Sequence, residues 1–186
     1  MLDNTNSAAL VVDPLNAIFK KQATTKLAGF EHGRCVILRE NQLSKADIKE
    51  VNTKALQYSL VCALLGTLSG LANKMVKEAY LYSRERHAFG KFIFQHQAIT
   101  YRLADLSMSR DSLSLLSQRY LLALSGKEMD IDSDALLEMI KQMSFEIAVN
   151  SLQIAGAHGY VDGLPFKKLY EQVKTINLVL NSYMVK

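Results

Sequence analysis

Residues 82–106, with the sequence YSRERHAFGKFIFQHQAITYRLADL, bring together side chains that suit a phosphate-bearing ligand. The candidates are three cations, two aromatic rings and two hydrogen-bonding groups: Arg84, Arg86, Lys91, Phe89, Phe92, His96 and Gln97. Cations beside the N-terminus of a predicted helix favour an anion such as a dinucleotide pyrophosphate, and an aromatic face suits its adenine. The alternative is that Arg86 is solvated, the phenylalanines fill the core, and His96 with Gln97 only cap the helix. Composition alone favours this alternative.

A second stretch, residues 152–166, contains a cluster of three glycines, Gly156, Gly159 and Gly163. Glycine lets the backbone approach a ligand closely, and phosphate is the common reason. The alternative is a helix C-cap at Gly156 followed by an ordinary turn, which the spacing alone favours. Asp162 beside Gly163 indicates such a turn.

The remaining histidines and cysteines do not predict a metal or acid–base site. Apart from Glu31 beside His32, neither His32 nor His158 has a His, Asp or Glu at ligand spacing, so surface or capping roles are expected. Cys35 and Cys62 form neither a disulfide framework nor a metal knuckle. We therefore expect no metal site. Unpaired cysteines suit a reducing compartment, so we expect a cytoplasmic location.

Four predicted helices must position these residues. The first spans about 47–86 with Ser44 or Asp47 as its cap, and the second spans about 96–125. The third follows an acidic cap region, Asp130, Asp132 and Asp134, and ends near Gly156; the fourth follows Pro165. Apolar residues recur at three-to-four spacing along them. The pattern predicts an antiparallel four-helix bundle whose outer stripes also suit an oligomer interface.

The first 45 residues have a different character. Residues 8–13 and 34–39 are short β-favouring runs, and an isolated two-stranded unit is marginal in water. We therefore predict that residues 1–45 are a partial β-domain remnant and that residues 46–186 are the helical bundle. The predicted fold class is mainly α, with the four-helix bundle preceded by a short β segment.

Composition and charge exclude several classes of protein. A chain of 186 residues that is 49% hydrophobic and 22% charged, with nine Gly and two Pro, is neither collagen-like nor disordered. The longest apolar run, residues 60–72, is too short to span a bilayer, so no membrane partner is expected. The net charge of +4 is scattered, and no basic face with interleaved aromatics recurs along a helix. Nucleic acid is therefore not an expected partner.

Three segments in the same order resemble the acyl-CoA dehydrogenase family, in its C-terminal helical-bundle domain. They are RHAFGK at 86–91, QHQAITYRLADL at 95–106 and QIAGAHGY at 153–160. The resemblance covers roughly residues 46–183, and residues 8–45 look like the last part of the family's middle β domain. In that family the bundle binds FAD across a subunit interface, so the resemblance implies FAD as cofactor.

The resemblance also implies which residues hold the FAD. Arg86 faces the pyrophosphate, and Ala88 and Phe89 lie beside the adenosine half. The residues that hydrogen-bond or line the same cofactor are His96, Gln97, Gln153, Gly156 and Ala157.

Departures from the family pattern bear on catalysis. The family's glycine pair is here Gly156-Ala157, which places a methyl group where the backbone approaches phosphate. The family's general base is a Glu, and its two locations match Leu180 and Leu60. Loss of a general base typically costs about 10²- to 10⁴-fold in rate. We therefore assign no catalytic residue and expect the chain alone to be inactive.

Two hypotheses about function remain. The first is a flavoprotein component for FAD-linked α,β-dehydrogenation of an acyl-CoA or acyl-carrier thioester, within fatty acid metabolism. The second is a non-catalytic helical-bundle subunit or fragment that supports oligomerisation or completes a partner's FAD site. The expected partners are further copies of this chain or a related full-length subunit. The missing base favours the second hypothesis for this chain taken alone.

Overall fold

A computed structural model describes residues 8–10, 20–22, 35–37, 48–50, 53–125 and 132–184. The chain divides into two compact units, Met1–Val61 and Cys62–Lys186. The predicted division between residues 45 and 46 lies outside the described residues and stays a prediction.

Short antiparallel strand pairs precede the helices. Strand β1 (Ala8–Leu10) pairs with β4 (Ile48–Glu50), and β2 (Lys20–Gln22) pairs with β3 (Cys35–Ile37). The helix predicted from about Asp47 is therefore wrong at its start, because residues 48–50 pair with β1 and the pairing overrides their helical propensity. The proposed caps Ser44 and Asp47 lie outside the described residues.

Four helices follow, and they confirm the predicted fold class. They are α1 (Thr53–Glu85), α2 (Gln97–Leu124), α3 (Ser133–Ala155) and α4 (Phe166–Met184). Asp132 caps α3 as predicted, because its carboxylate accepts hydrogen bonds from the N–H groups of Asp134 at 3.0 Å and Ala135 at 3.1 Å.

The core lies along the helix faces that the periodicity predicts. Helix α3 packs against both α2 and α4. The fully or almost fully buried side chains include Ile140 and Ile147 of α3 and Val173, Ile176 and Leu180 of α4. Of the residues that the periodicity assigns to these faces, Leu116 and Met143 are only half-buried and Leu124 is 41% exposed. The neighbouring Ser117 and Ser144 are buried instead. Each of these hydroxyls donates to a carbonyl of its own helix at 2.8 Å, which removes the cost of burying it.

Helix α1 is more apolar than the run of residues 60–72 indicates. By length and composition, residues 55–85 could cross a membrane. The side chains of Leu65, Leu68, Met75 and Ala79 are fully buried. The intervals between them are three, seven and four residues, which is the spacing of a helix that packs on a core. The expected absence of a membrane partner stays a prediction.

Candidate functional site

A tight hairpin follows α1. It consists of β5 (His87–Ala88) and β6 (Lys91–Phe92), which are joined by Phe89 and Gly90. Both turn residues have positive φ, 53° for Phe89 and 79° for Gly90, as a type I′ hairpin turn requires. A left-handed conformation costs an ordinary residue roughly 1–2 kcal/mol. The ring of Phe89 is 95% exposed, so burial of this side chain does not offset the cost.

His96 fixes this hairpin to the start of α2. Its Nε2 lies 3.2 Å from the carbonyl oxygen of Ala88, which can only accept, so Nε2 carries the proton and donates. The Phe89 ring meets the imidazole edge-to-face, with 6.2 Å between ring centroids. The His96 side chain makes no capping hydrogen bond to α2. The structure therefore gives His96 a part in positioning the hairpin that the capping alternative did not include.

Arg86 lies between α1 and the hairpin, and both its backbone N–H and its carbonyl make hydrogen bonds. Its N–H donates to the carbonyl of Tyr82 at 2.9 Å, and its carbonyl accepts from the N–H of Ile93 at 2.8 Å. The Arg86 side chain is exposed. Lys91, also exposed, donates through Nζ to the carbonyl of Gln95 at 3.2 Å. A fixed backbone with an exposed guanidinium can present charge to an anion in solution.

Gln97 opens α2 at the same end of the hairpin. Its exposed side chain donates through Nε2 to the hydroxyl of Tyr101 at 2.7 Å. The first turn of α2 contains no acidic residue, so the positive end of the helix dipole is not neutralised there. The structure thus places Arg86, Ala88, Phe89, His96 and Gln97 on the hairpin and at the start of α2, and their role in binding FAD stays a prediction.

A single 3₁₀ turn, Gly156–Tyr160, follows α3. Gly156 has φ 58°, and its N–H donates to the carbonyl of Gln153, so its left-handed backbone ends the helix. A Cβ on Gly159 would lie 2.8 Å from the carbonyl oxygen of Leu152, so this glycine permits close packing of the turn on α3. Gly163 lies in a turn with Asp162, as expected. The alternative of a helix end followed by a turn therefore accounts for this backbone.

Two side chains join the glycine turn to the end of α1. The hydroxyl of Tyr82 lies 2.8 Å from Nδ1 of His158, and its ring also meets Phe166 edge-to-face, with 6.3 Å between centroids. Of the predicted cofactor residues, Gln153 is exposed near the end of α3, and Ala157 is exposed on the glycine turn. The contact of Tyr82 could not be predicted from the sequence, because its partner His158 is 76 residues away and no local pattern indicates the pairing.

The two positions that match the family's general base have different environments. Leu180 is fully buried on α4, whereas Leu60 on α1 is 39% exposed. Among the residues that the structure describes, no group of three His, Cys, Asp or Glu side chains could hold a metal ion.

Comparison with known proteins relates most of the helical region to one family. A family model described as "Acyl-CoA dehydrogenase, C-terminal domain" matches residues 51–179. The chain is similar to the 3-(aryl)acrylate reductase of Clostridium sporogenes, with 24% identity over 148 residues, 76% of this chain and 39% of that protein. It is also similar to the mitochondrial short-chain specific acyl-CoA dehydrogenase of Rattus norvegicus, with 26% identity over 144 residues, 75% of this chain and 34% of that protein. The chain thus spans less than two fifths of the length of these curated relatives.

A solved structure agrees with this relationship at the level of the fold. The butyryl-CoA dehydrogenase of Megasphaera elsdenii superposes with a TM-score of 0.70 at 15% sequence identity. The match covers 96% of this chain and 52% of that one. At this identity the likeness establishes the fold alone.

Proposed function

The chain belongs to the acyl-CoA dehydrogenase family, through its C-terminal domain, and from this premise we propose that it supplies the helical part of an FAD site. The observation that carries the proposal is the conformation of Phe89. Its backbone is held in the left-handed region while its ring is 95% exposed. Strained residues of this kind cluster where ligands are bound. The strain lies beside Arg86, in the segment that the family resemblance also selects.

The residues fit the adenosine and pyrophosphate half of the cofactor. The exposed guanidinium of Arg86 suits paired hydrogen bonds to phosphate oxygens, and the N-terminus of α2 favours the same negative charge. The exposed ring of Phe89 offers an apolar face to adenine. A Cβ on Gly156 would meet nothing within 4 Å, and the methyl group of Ala157 is exposed. Open space therefore adjoins the glycine turn.

FAD, when bound, would supply the hydride acceptor for α,β-dehydrogenation of an acyl thioester. In this proposal, the residues of this chain bind and orient: Arg86 holds the pyrophosphate, and His96 keeps the hairpin in place through the carbonyl of Ala88. Neither Leu60 nor Leu180 can remove a proton. In this proposal the chain therefore contributes cofactor binding, and neither of the two described positions that match the family's base supplies one.

The second candidate function is a non-catalytic subunit that completes a partner's FAD site or supports an oligomer. The observation that favours it is the complete burial of Leu180. Its side chain fills the bundle core, so this position serves packing where the family pattern has a base. A second copy of the chain or a related full-length subunit is the proposed partner.

Titration of the purified chain with FAD, followed by flavin fluorescence, tests the binding proposal. We expect saturable binding that Arg86→Ala weakens by about 1.5–3 kcal/mol, roughly 10- to 160-fold, as for a hydrogen bond to a charged group. Arg84→Ala is the matched control, because the guanidinium of Arg84 lies over the rings of Tyr80 and Phe94. No saturable binding, or equal losses in the two variants, would remove the proposal.

An activity assay tests whether the chain is catalytic by itself. We expect no acyl-CoA-dependent bleaching of added FAD by the unmodified chain with an artificial electron acceptor present. Turnover above about 1 per second, the range of ordinary enzymes, would show that a base exists elsewhere and that the chain is itself catalytic.

A further inference from the structure

A cleft with a volume of about 450 Å³ lies between α2 and α3. Residues from 98 to 109 form its α2 wall, which extends over roughly 16 Å of helix, and residues from 146 to 150 form its α3 wall. The almost fully buried side chains of Leu106 and Ile147 give the cleft an apolar floor. Small-molecule sites have volumes of about 300–1,000 Å³ and combine an apolar lining with a few polar groups. The cleft is therefore large enough for a small organic molecule.

Three charged side chains line this cleft: Arg102 and Asp105 on α2, and Glu146 on α3. All three side chains are exposed. Arginine and aspartate three residues apart on a helix commonly pair, but within the part of the chain that the structure describes the ion pairs join other side chains. The cleft thus presents one guanidinium and two carboxylates whose charges a ligand can neutralise.

The α3 wall adds hydrogen-bond acceptors. Nδ2 of Asn150 donates to the carbonyl oxygen of Glu146 at 3.0 Å, which leaves Oδ1 of Asn150 as an acceptor. One carboxylate oxygen of Glu146 accepts from Nε2 of Gln142 at 2.9 Å, and the carboxylate can accept further hydrogen bonds. This wall therefore suits a cationic donor. A metal ion fits less well, because the Arg102 guanidinium repels it and no group of three His, Cys, Asp or Glu side chains among the described residues could hold one.

We propose that the cleft binds a free dibasic amino acid such as lysine, whose two cations and one carboxylate match its two carboxylates and one guanidinium. The α-carboxylate and the α-ammonium group are attached to one carbon, so they need opposite charges that are close together. Arg102 and Asp105 meet this need, because they are separated by about 4.5 Å along the axis of α2. The side-chain ammonium group then binds Glu146 and Asn150 on the α3 wall.

The apolar floor favours this class of ligand over simpler cations. The methylene chain that joins the two cations of lysine can cover Leu106 and Ile147, and burial of methylene groups is favourable. An inorganic cation gains nothing from an apolar floor, and a diamine has no carboxylate for Arg102. None of the residues that carry this inference is among those predicted to hold FAD, so it goes beyond the proposed function.

Ligands that each lack one charged group of lysine test the proposal by isothermal titration calorimetry of the unmodified chain. L-Lysine should bind saturably with a dissociation constant of about 1 mM, as for a small ligand held by a few exposed ion pairs. Norleucine lacks the side-chain ammonium group, 6-aminohexanoate lacks the α-ammonium group, and 1,5-diaminopentane lacks the carboxylate. Each of these should bind about fivefold more weakly than lysine, which is the effect of losing one well-formed exposed ion pair.

Matched variants assign each charged group of the ligand to a residue. Arg102→Gln should lower the affinity for lysine about fivefold but not the affinity for 1,5-diaminopentane, which has no carboxylate to lose its partner. By the same logic, Asp105→Asn should spare 6-aminohexanoate, and Glu146→Gln should spare norleucine. Glu171→Gln is the control, because this exposed carboxylate lies on α4 and does not line the cleft. Circular dichroism confirms that each variant is folded before its affinity is compared.

Several results would overturn the proposal. These are no saturable binding of lysine up to about 20 mM, far above the expected dissociation constant, an analogue that binds as tightly as lysine, and cleft variants that bind lysine as well as Glu171→Gln does. The FAD titration depends on other residues. Failure of lysine binding would therefore leave the proposed function standing, and failure of FAD binding would leave the cleft proposal standing.

Discussion

The hairpin after α1 and the glycine turn after α3 are joined by the hydrogen bond between Tyr82 and His158, yet they differ in what explains their backbone. In the glycine turn, Gly156 ends a helix and Gly159 makes room for the carbonyl of Leu152. In the hairpin, Phe89 has a positive φ and its ring gains no burial in return. The end of α3 and close packing account for the backbone of the glycine turn, whereas neither accounts for the conformation of Phe89.

This difference changes how the two regions bear on function. The glycines predict close approach to phosphate, but the protein's own structure already accounts for two of them: Gly159 permits close packing, and Gly156 has a positive φ where α3 ends. A bulky residue kept in a strained, exposed position is the stronger indication of a ligand. We therefore expect substitutions in the glycine turn to act mainly on stability, and substitutions in the hairpin to act mainly on binding.

The largest effect should come from Gly159→Ala. The new Cβ would lie 2.8 Å from the carbonyl oxygen of Leu152 and 3.1 Å from Cβ of Ala155, so backbone must move. We expect the free energy of unfolding to fall by about 1–3 kcal/mol, the cost of overpacking a tight site. Urea denaturation measures it.

Gly70→Ala on α1 is the control with the opposite sign. A Cβ at Gly70 would meet nothing within 4 Å, and alanine stabilises a helix interior by about 0.5–1 kcal/mol relative to glycine. If Gly159→Ala were as stable as Gly70→Ala, packing would not explain the glycine turn, and the contrast with the hairpin would disappear.

The fold was largely predictable because its signals are local. Apolar periodicity located α2, α3 and α4, and the acidic residue Asp132 marked the start of α3. The start of α1 was not predictable, because Ile48–Glu50 pairs with a strand some forty residues earlier in the chain. Periodicity also missed Ser117 and Ser144, whose hydroxyls satisfy their hydrogen bonds within the helix and so tolerate burial.

The candidate site was predictable in its residue types but not in its geometry. Arg86 and the turn at Gly90 could be identified from the sequence. The positive φ of Phe89 could not, because the type I′ turn normally takes Asn, Asp or Gly at that place. The contact between Tyr82 and His158 depends on how α1 meets the glycine turn, which no local pattern encodes.

An intermediate effect is expected for Phe89→Gly. Glycine adopts positive φ without the steric cost of about 1–2 kcal/mol, although it loses more backbone entropy on folding. We expect unfolding to require about 0.5–1 kcal/mol more free energy, while FAD affinity falls because the aromatic face is gone. Thermal or urea denaturation and the flavin titration measure the two quantities on the same samples.

Ala88→Gly, one residue earlier, controls for the effect of adding a glycine. Its φ is not positive, so the same substitution should lower the free energy of unfolding by about 0.5–1 kcal/mol. A loss of stability in Phe89→Gly that matches this control would mean that Phe89 stores no strain, and its conformation would no longer point to a ligand.

The smallest effect should come from Tyr82→Phe, which tests whether the two regions are connected. The change removes the hydroxyl that lies 2.8 Å from Nδ1 of His158 and keeps the ring against Phe166. A hydrogen bond contributes about 0.5–1.5 kcal/mol, and partial exposure favours the lower end of that range. His158→Ala should cost a similar amount, and the double variant should cost little more than either, because both substitutions remove the same interaction.

Tyr80→Phe is the control, because Tyr80 is an exposed tyrosine on the same helix. The stability of this variant should stay within about 0.5 kcal/mol of that of the unmodified chain. If the losses of stability of the two single variants added fully in the double variant, the hydrogen bond would not link the hairpin to the glycine turn. The two regions would then be independent.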